Sequence, residues 1–167
     1  DNDKYAVGHG LAPRLTYGFS LGAEWNGFDF SCLFQGNAGL QVYWQDKFYM
    51  GYINYGDVIN KEIAEGAWRE GRTNATYPRL LTGLNTLNAQ PSDFWVQNKS
   101  YLRLKNVQIG YKIPKKLLQK LDISQLRLYT SLENMLTFTS YKGIDPEISG
   151  TTYPTMKQIT VGVNVVF

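Results

Sequence analysis

The chain is poor in the residues on which disulfide frameworks, metal sites and catalytic triads depend. Its one cysteine, Cys32, cannot close an intramolecular disulfide. Its one histidine, His9, argues against a zinc site or a histidine-based triad. No window approaches the roughly 18 consecutive apolar residues of a membrane-spanning helix, which excludes a helical membrane protein. Charge of one sign is also missing. There are 17 Lys and Arg against 14 Asp and Glu, for a net charge of +3. The only local basic cluster, Lys115, Lys116 and Lys120, is too sparse for a nucleic-acid footprint. No apolar leader follows the opening Asp1-Asn2-Asp3, so the chain is expected to be a mature terminus or, as the favoured reading, a piece of something longer.

What is present points to β-structure. Hydrophobic residues make up 43% of the chain, yet the mean hydropathy is slightly negative, so apolar residues are dispersed among polar ones. Aromatics reach 14%, and there are 16 glycines. Flat rings pack well on pleated faces, and glycine serves turns and crowded walls. A soluble, tyrosine-rich carbohydrate-binding sandwich would share this composition.

The alternation decides more. Leu15, Tyr17, Phe19, Leu21, Ala23 and Trp25 alternate with Thr16, Gly18, Ser20, Gly22 and Glu24, the period of a strand with one apolar and one polar face. Asn26-Gly27 then supplies a two-residue hairpin turn, whose central positions both need positive φ. Such a turn sets Trp25 opposite Phe28, Ala23 opposite Phe30, Leu21 opposite Cys32 and Phe19 opposite Phe34. One face of the hairpin is then apolar throughout. Further strands are expected at about 100–112, 125–137 and 157–167, besides 14–25 and 28–36. In the third, Leu102 and Leu104 run out of phase with Val107, Ile109 and Tyr111, and a bulge near Lys105 would reconcile the halves. Helical turns are expected at Pro114–Leu121 and from Asp57 to Glu65, with Gly66 ending the latter.

Strands of about ten residues suit a tilted membrane crossing, and connections alternate between short and long. The short ones are Asn26-Gly27 and 113–124; the long ones are 37–99 and 138–156. Short turns on one side and long loops on the other describe an outer-membrane barrel. The fold class expected is therefore all-β, a transmembrane antiparallel β-barrel.

At this point the sequence resembles the SusC/RagA-like TonB-dependent transporters of Bacteroidetes outer membranes. The ordered pieces are Pro13-Arg14-Leu15-Thr16-Tyr17-Gly18, Gly27-Phe28-Asp29-Phe30, Phe34-Gln35-Gly36, Asn74-Ala75-Thr76-Tyr77-Pro78-Arg79 and Ser92-Asp93-Phe94-Trp95. They continue with Ser100 to Val107, Gly110-Tyr111-Lys112-Ile113-Pro114, Leu126-Arg127-Leu128-Tyr129, Asn134-Met135-Leu136-Thr137, Gly143-Ile144-Asp145-Pro146-Glu147 and Tyr153-Pro154. The resemblance implies that the chain supplies about the last five strands of a barrel of roughly twenty-two. The remaining strands and the plug would lie on another chain or another part of the gene product. It further implies import of oligosaccharides or peptides across the outer membrane, a SusD-like lipoprotein lid, energy from TonB, contact with lipid and lipopolysaccharide, and no cofactor or catalytic residue. The final run also resembles the signal read by the barrel-assembly machinery, carried here by Thr160, Gly162, Val165 and Phe167, with valine where an aromatic is more usual.

Several residues have two readings. Loop 37–99 carries Tyr43, Trp44, Phe48, Tyr49, Tyr52, Tyr55, Trp68, Tyr77, Phe94 and Trp95. Aromatic faces stack on sugars, which makes Trp44, Tyr49, Tyr52, Tyr55 and Trp95 above all candidate contacts for substrate or lid; the plainer reading is a small core within the loop. Asp145-Pro146-Glu147 reads as a cation site or, preferably, a proline-braced extracellular turn. Glu24 and Asp29, opposite one another on the polar face, imitate a glycosidase pair but are ordinary for a charged lumenal wall. Cys32 is read as lipid-facing, and Trp25, Phe28 and Tyr111 as part of the periplasmic aromatic girdle. A passive porin or adhesin barrel, an outer-membrane enzyme and a soluble glycan-binding sandwich are the rivals.

Overall fold

A computed structural model describes residues 5–6, 12–43, 52–53, 59, 61–82, 91–119, 122–148 and 152–167. The chain forms two compact units, one of residues 1–8 with 42–97 and one of residues 9–41 with 98–167. In chain order the elements are β1 (Leu15–Trp25), β2 (Phe28–Ala38), β3 (Gln41–Tyr43), β4 (Tyr52–Ile53), α1 (Lys61–Gly66), β5 (Leu81–Thr82), a 3-10 turn at Asp93–Trp95, β6 (Val96–Asn98), β7 (Tyr101–Lys112), α2 (Lys115–Leu118), β8 (Gln125–Thr139) and β9 (Gln158–Val166).

The second unit is a five-stranded antiparallel sheet in the order β1-β2-β7-β8-β9. Asn26 and Gly27 adopt φ of 48° and 86°, the left-handed geometry the tight turn demands. The pairs follow: Trp25 lies opposite Phe28, Ala23 opposite Phe30, Leu21 opposite Cys32 and Phe19 opposite Phe34. At β7 the register shifts on both sides of Lys105, so Phe34 faces Leu104 while Leu33 faces Asn106. Toward β8, Leu104 faces Leu136 and Asn106 faces Glu133. This bulge returns Leu102 and Leu104 to the apolar side, and Asn134 at φ 55° absorbs the matching irregularity in β8.

Rows running across the sheet show its two characters. On one face Leu21, Cys32, Val107, Leu132 and Ile159 form a row, and Trp25, Phe28, Tyr111, Leu128 and Val163 form another. No charged residue stands in the rows of this face. Much of it is bare: Trp25 is 78% exposed and Val161 77%. A contiguous apolar surface of this extent is costly in water and natural in hydrocarbon. The strands suit the same setting, since about ten residues rising ~3.3 Å each cross roughly 25 Å when tilted. Cys32 sits on this face but is buried, flanked by Leu21, Val107 and its strand neighbours. Phe28 and Tyr111 pack ring against ring at 4.5 Å in the row that ends on Trp25.

The opposite face carries Gly18, Gly22, Gly110 and Gly162, most of the hydroxyls and amides, and the charges. Ser31, Gln108, Ser131 and Thr160 share a row, and Asp29, Gly110, Tyr129 and Gly162 share the next. Asn106 Nδ2 donates to Ser131 Oγ at 2.9 Å. Among the described residues no helix is long and apolar enough to cross a membrane; the strands are the crossing elements. The turns after Pro114 condense into α2, where Leu118 is buried.

The first unit has its own small core of Ile63, Tyr77 and Trp95, against which Tyr43, Ile59 and Leu80 pack. The helix expected from Asp57 to Glu65 runs instead from Lys61 to Gly66. Ile59 still packs beside Ile63, and Asp57 lies outside the described residues.

Candidate functional site

The polar face gathers its charge at two levels. Toward the β1–β2 turn, Arg127 donates from Nε to Asp29 Oδ2 at 2.8 Å, adds a second bond from Nη2 to Asp29, and reaches Gln108 Oε1 at 3.1 Å. Gly110 lies beneath this pair, and a methyl group there would collide with both side chains. Lys112 Nζ reaches Glu24 Oε1 at 3.2 Å. Glu24 and Asp29 do lie opposite one another, but each carboxylate is matched to its own cation. A glycosidase needs one carboxyl held as a proton donor by its surroundings. Here each carboxylate is held by a cation of its own, Glu24 by Lys112 and Asp29 by Arg127.

The second level is a buried clamp that the alternation alone did not reveal. From β7, Arg103 donates from Nη2 to Asp145 Oδ1 at 2.8 Å, from Nη1 to Glu147 Oε2 at 2.7 Å and from Nε to Thr137 Oγ1 at 2.8 Å. Lys105 Nζ and the Tyr101 hydroxyl complete the shell around Glu147, at 2.7 and 2.8 Å. Asp145 also accepts the backbone N–H groups of Glu147 and Thr155, at 2.8 and 3.0 Å. Lys99 is buried beside them, bonded to the Ile148 carbonyl and stacked 5.4 Å from the Tyr141 ring.

The electrostatics follow from this geometry. Burial pushes the Asp145 carboxyl up, but the Glu147 N–H, Arg103 and the Thr155 N–H outweigh it and hold the group below its ordinary 3.8. Burial lowers the Lys99 ammonium from its ordinary 10.5, and Asp145 offsets this in part. Asp145-Pro146-Glu147 is therefore a turn whose carboxylates are spent on protein cations. Among the described residues no cluster of His, Cys, Asp and Glu could hold a metal ion.

Known proteins are similar to this chain over nearly its whole length. No family model matches it. TonB-dependent receptor P3 of Formosa agariphila is 31% identical, over 93% of this chain and 16% of that protein. TonB-dependent receptor SusC of Bacteroides thetaiotaomicron is 25% identical, over 93% of this chain and 15% of SusC. The solved structure of the RagAB peptide transporter superimposes with a TM-score of 0.75 at 28% identity, over 97% of this chain and 19% of that one. The chain belongs to the SusC/RagA-like TonB-dependent receptors. It spans 15% to 18% of the length of the curated relatives it matches. Its sheet is accordingly a section of a transmembrane antiparallel β-barrel wall, apolar side outward and polar side inward.

Within that receptor wall, the expected assembly residues take distinct places. Thr160 and Gly162 stand on the polar face, opposite Ser131 and Tyr129, while Val165 lies opposite Leu126. Phe167 follows β9 and is exposed. The Tyr129 ring covers Gly162 so closely that a Cβ would strike it. The loop aromatics fare differently. Trp95 is 3% exposed and forms the first unit's core, so its ring is closed to any sugar. This corrects the expectation of a contact role there: the loop needed an anchor, and the largest apolar ring supplies it. Tyr52 begins β4 and lies opposite Leu81. Trp44, Tyr49 and Tyr55 lie outside the described residues. Trp68 and Phe94, two further aromatics of the loop, line a hollow in this unit.

Proposed function

We propose that the chain is part of the wall of an outer-membrane importer for oligosaccharides or peptides, powered through TonB and covered outside by a SusD-like surface lipoprotein. The observation that carries this reading is the charge-free outer face of the sheet, backed by a polar face that carries the charges, with Asp29 paired to Arg127 and Glu24 to Lys112. Hydrocarbon tolerates no unpaired strand edge, so the outer edges of β1 and β9 require further strands. Those strands and the plug are the first partners of this chain; lipid and lipopolysaccharide are the next.

The reading sets the β1–β2 turn and the α2 connection in the periplasm, with 37–99 and 138–156 outside. The clamp then has a plain role. It ties the β8–β9 connection to the inner wall and shapes the outer vestibule through which cargo passes. Thr160, Gly162, Val165 and Phe167 serve membrane assembly, and Trp44, Tyr49, Tyr52 and Tyr55 remain contacts for cargo or lid. One relative is named a peptide transporter, and this supports peptides as one cargo class beside oligosaccharides.

The test is uptake of labelled oligosaccharides and peptides by cells with the receptor, without it, and without TonB. Loss of uptake of the same cargo in both deletions is expected. Uptake that persists without TonB points to a passive porin. Co-purification of a surface lipoprotein with the tagged receptor tests the lid.

A further inference from the structure

The first unit holds an open hollow that the transport reading leaves without a task. Its volume is about 360 Å³, and Trp68, Thr76, Tyr77, Pro78, Arg79 and Phe94 line it. Its frame is firmly built. The N–H groups of Thr76 and Tyr77 donate to the Gly66 carbonyl at 2.9 and 3.1 Å, and that of Trp68 donates to the Tyr77 carbonyl at 2.9 Å. The Tyr77 hydroxyl donates to Glu62 at 3.0 Å. Phe94 stands edge-on to Tyr77 at 6.4 Å and to Trp95 at 4.7 Å, so the hollow rests on the unit's core.

Its open side combines two features that seldom stay bare together. Trp68 is 46% exposed and Phe94 53%. The Arg79 guanidinium lies 5.9 Å from the Trp68 ring centre and has no carboxylate partner among the described residues. Lys61 pairs with Glu65 at 3.7 Å, and Arg72 donates to the Glu65 carbonyl. Exposed aromatic area beside an unmatched guanidinium suits an occupant with an apolar C–H face and a carboxylate.

We infer that this hollow binds an acidic saccharide unit. The pyranose C–H face lies against the exposed rings, its carboxylate accepts a paired hydrogen bond from Arg79, and Thr76 at the rim meets a sugar hydroxyl. An acidic peptide fits less well. Extended peptides are held by free backbone groups at a sheet edge, and here the N–H groups of Trp68, Thr76 and Tyr77 are all used within the frame. The inference deepens the transport reading by naming a cargo class, and rests on that reading only for the cargo's fate.

The experiment is calorimetric titration of the full receptor in detergent with tetragalacturonate, its methyl ester and a tetraglutamate peptide. The expected result is binding of the acid roughly tenfold tighter than the ester, the scale of one charge-assisted hydrogen-bond pair. Arg79→Gln should erase that preference while sparing the ester, and Trp68→Ala should weaken both saccharides. Unchanged heat-modifiable migration on gels confirms that each variant is folded. Equal binding of acid and ester, indifference to Arg79→Gln, or no saccharide binding overturns the proposal. Tetraglutamate binding with the same Arg79 dependence, in place of the saccharide, also overturns it. Binding needs no TonB, so a receptor that binds as expected but imports nothing refutes the transport reading alone.

Discussion

Arg103 on β7 and Asp145 in the β8–β9 connection meet at 2.8 Å with both side chains only 4% exposed. Removing one partner of a buried pair strands the other charge and costs about 3–5 kcal/mol. Arg103→Ala would strand Asp145 and leave Glu147 to Lys105 and Tyr101 alone, so the 140–156 segment should detach while the ladders of the sheet persist. Limited proteolysis of the receptor is the measurement. Cleavage within 140–156 should rise at least tenfold in Arg103→Ala, with heat-modifiable barrel migration unchanged.

The same clamp sets a pH dependence whose sign can be worked out. Asp145 is held below its ordinary 3.8, so its ionised form is favoured in the folded loop. The stability it contributes is complete above the ordinary carboxylate range. It is lost as pH falls through the lowered value. A spin label at Ile144, an exposed position, in a Cys32→Ser background should stay immobile from neutral pH down to about 4 and loosen only below it. Asp145→Asn should show the loose spectrum at every pH.

Tyr129 and Gly162 make a second testable fit. The ring occupies the space where a Cβ at position 162 would stand. Overfilling a packed contact costs about 1–3 kcal/mol. Gly162→Ala should therefore lower the yield of assembled receptor several-fold, and adding Tyr129→Ala should restore part of it. A glycine needed only for recognition by assembly machinery would not be rescued this way. The ratio of folded to unfolded receptor in isolated outer membranes decides.

What could be read before the structure follows the physics of alternation. The hairpin around Asn26-Gly27 was legible residue by residue, because a two-residue turn leaves one register and a one-residue slip would invert every side chain. The bulge at Lys105 was legible as a phase error between Leu104 and Val107. The clamp was not. Arg103 falls on the polar face like many wall residues, and nothing local ties it to Asp145, 42 residues away. Trp95 stayed between two readings for a related reason, since an aromatic residue in a loop looks the same in sequence whether it anchors or is displayed.

The two-faced wall can be tested at adjacent positions of β1. Leu21 lies in the middle apolar row, opposite Cys32, and Ser20 lies opposite Leu33 on the other face. A lysine on the lipid face near the bilayer centre costs about 2–4 kcal/mol, whereas lumenal positions tolerate it. Leu21→Lys should thus reduce assembled receptor sharply, with Ser20→Lys close to wild type. That contrast alone would also arise if Leu21 were buried in a dry protein core, so a third variant is needed. Lipid accommodates a larger apolar side chain, while a close-packed core charges about 1–3 kcal/mol for one. Leu21→Phe should leave both yield and thermal stability in detergent unchanged. A clear loss in Leu21→Phe would mean that this row packs against protein and not against hydrocarbon.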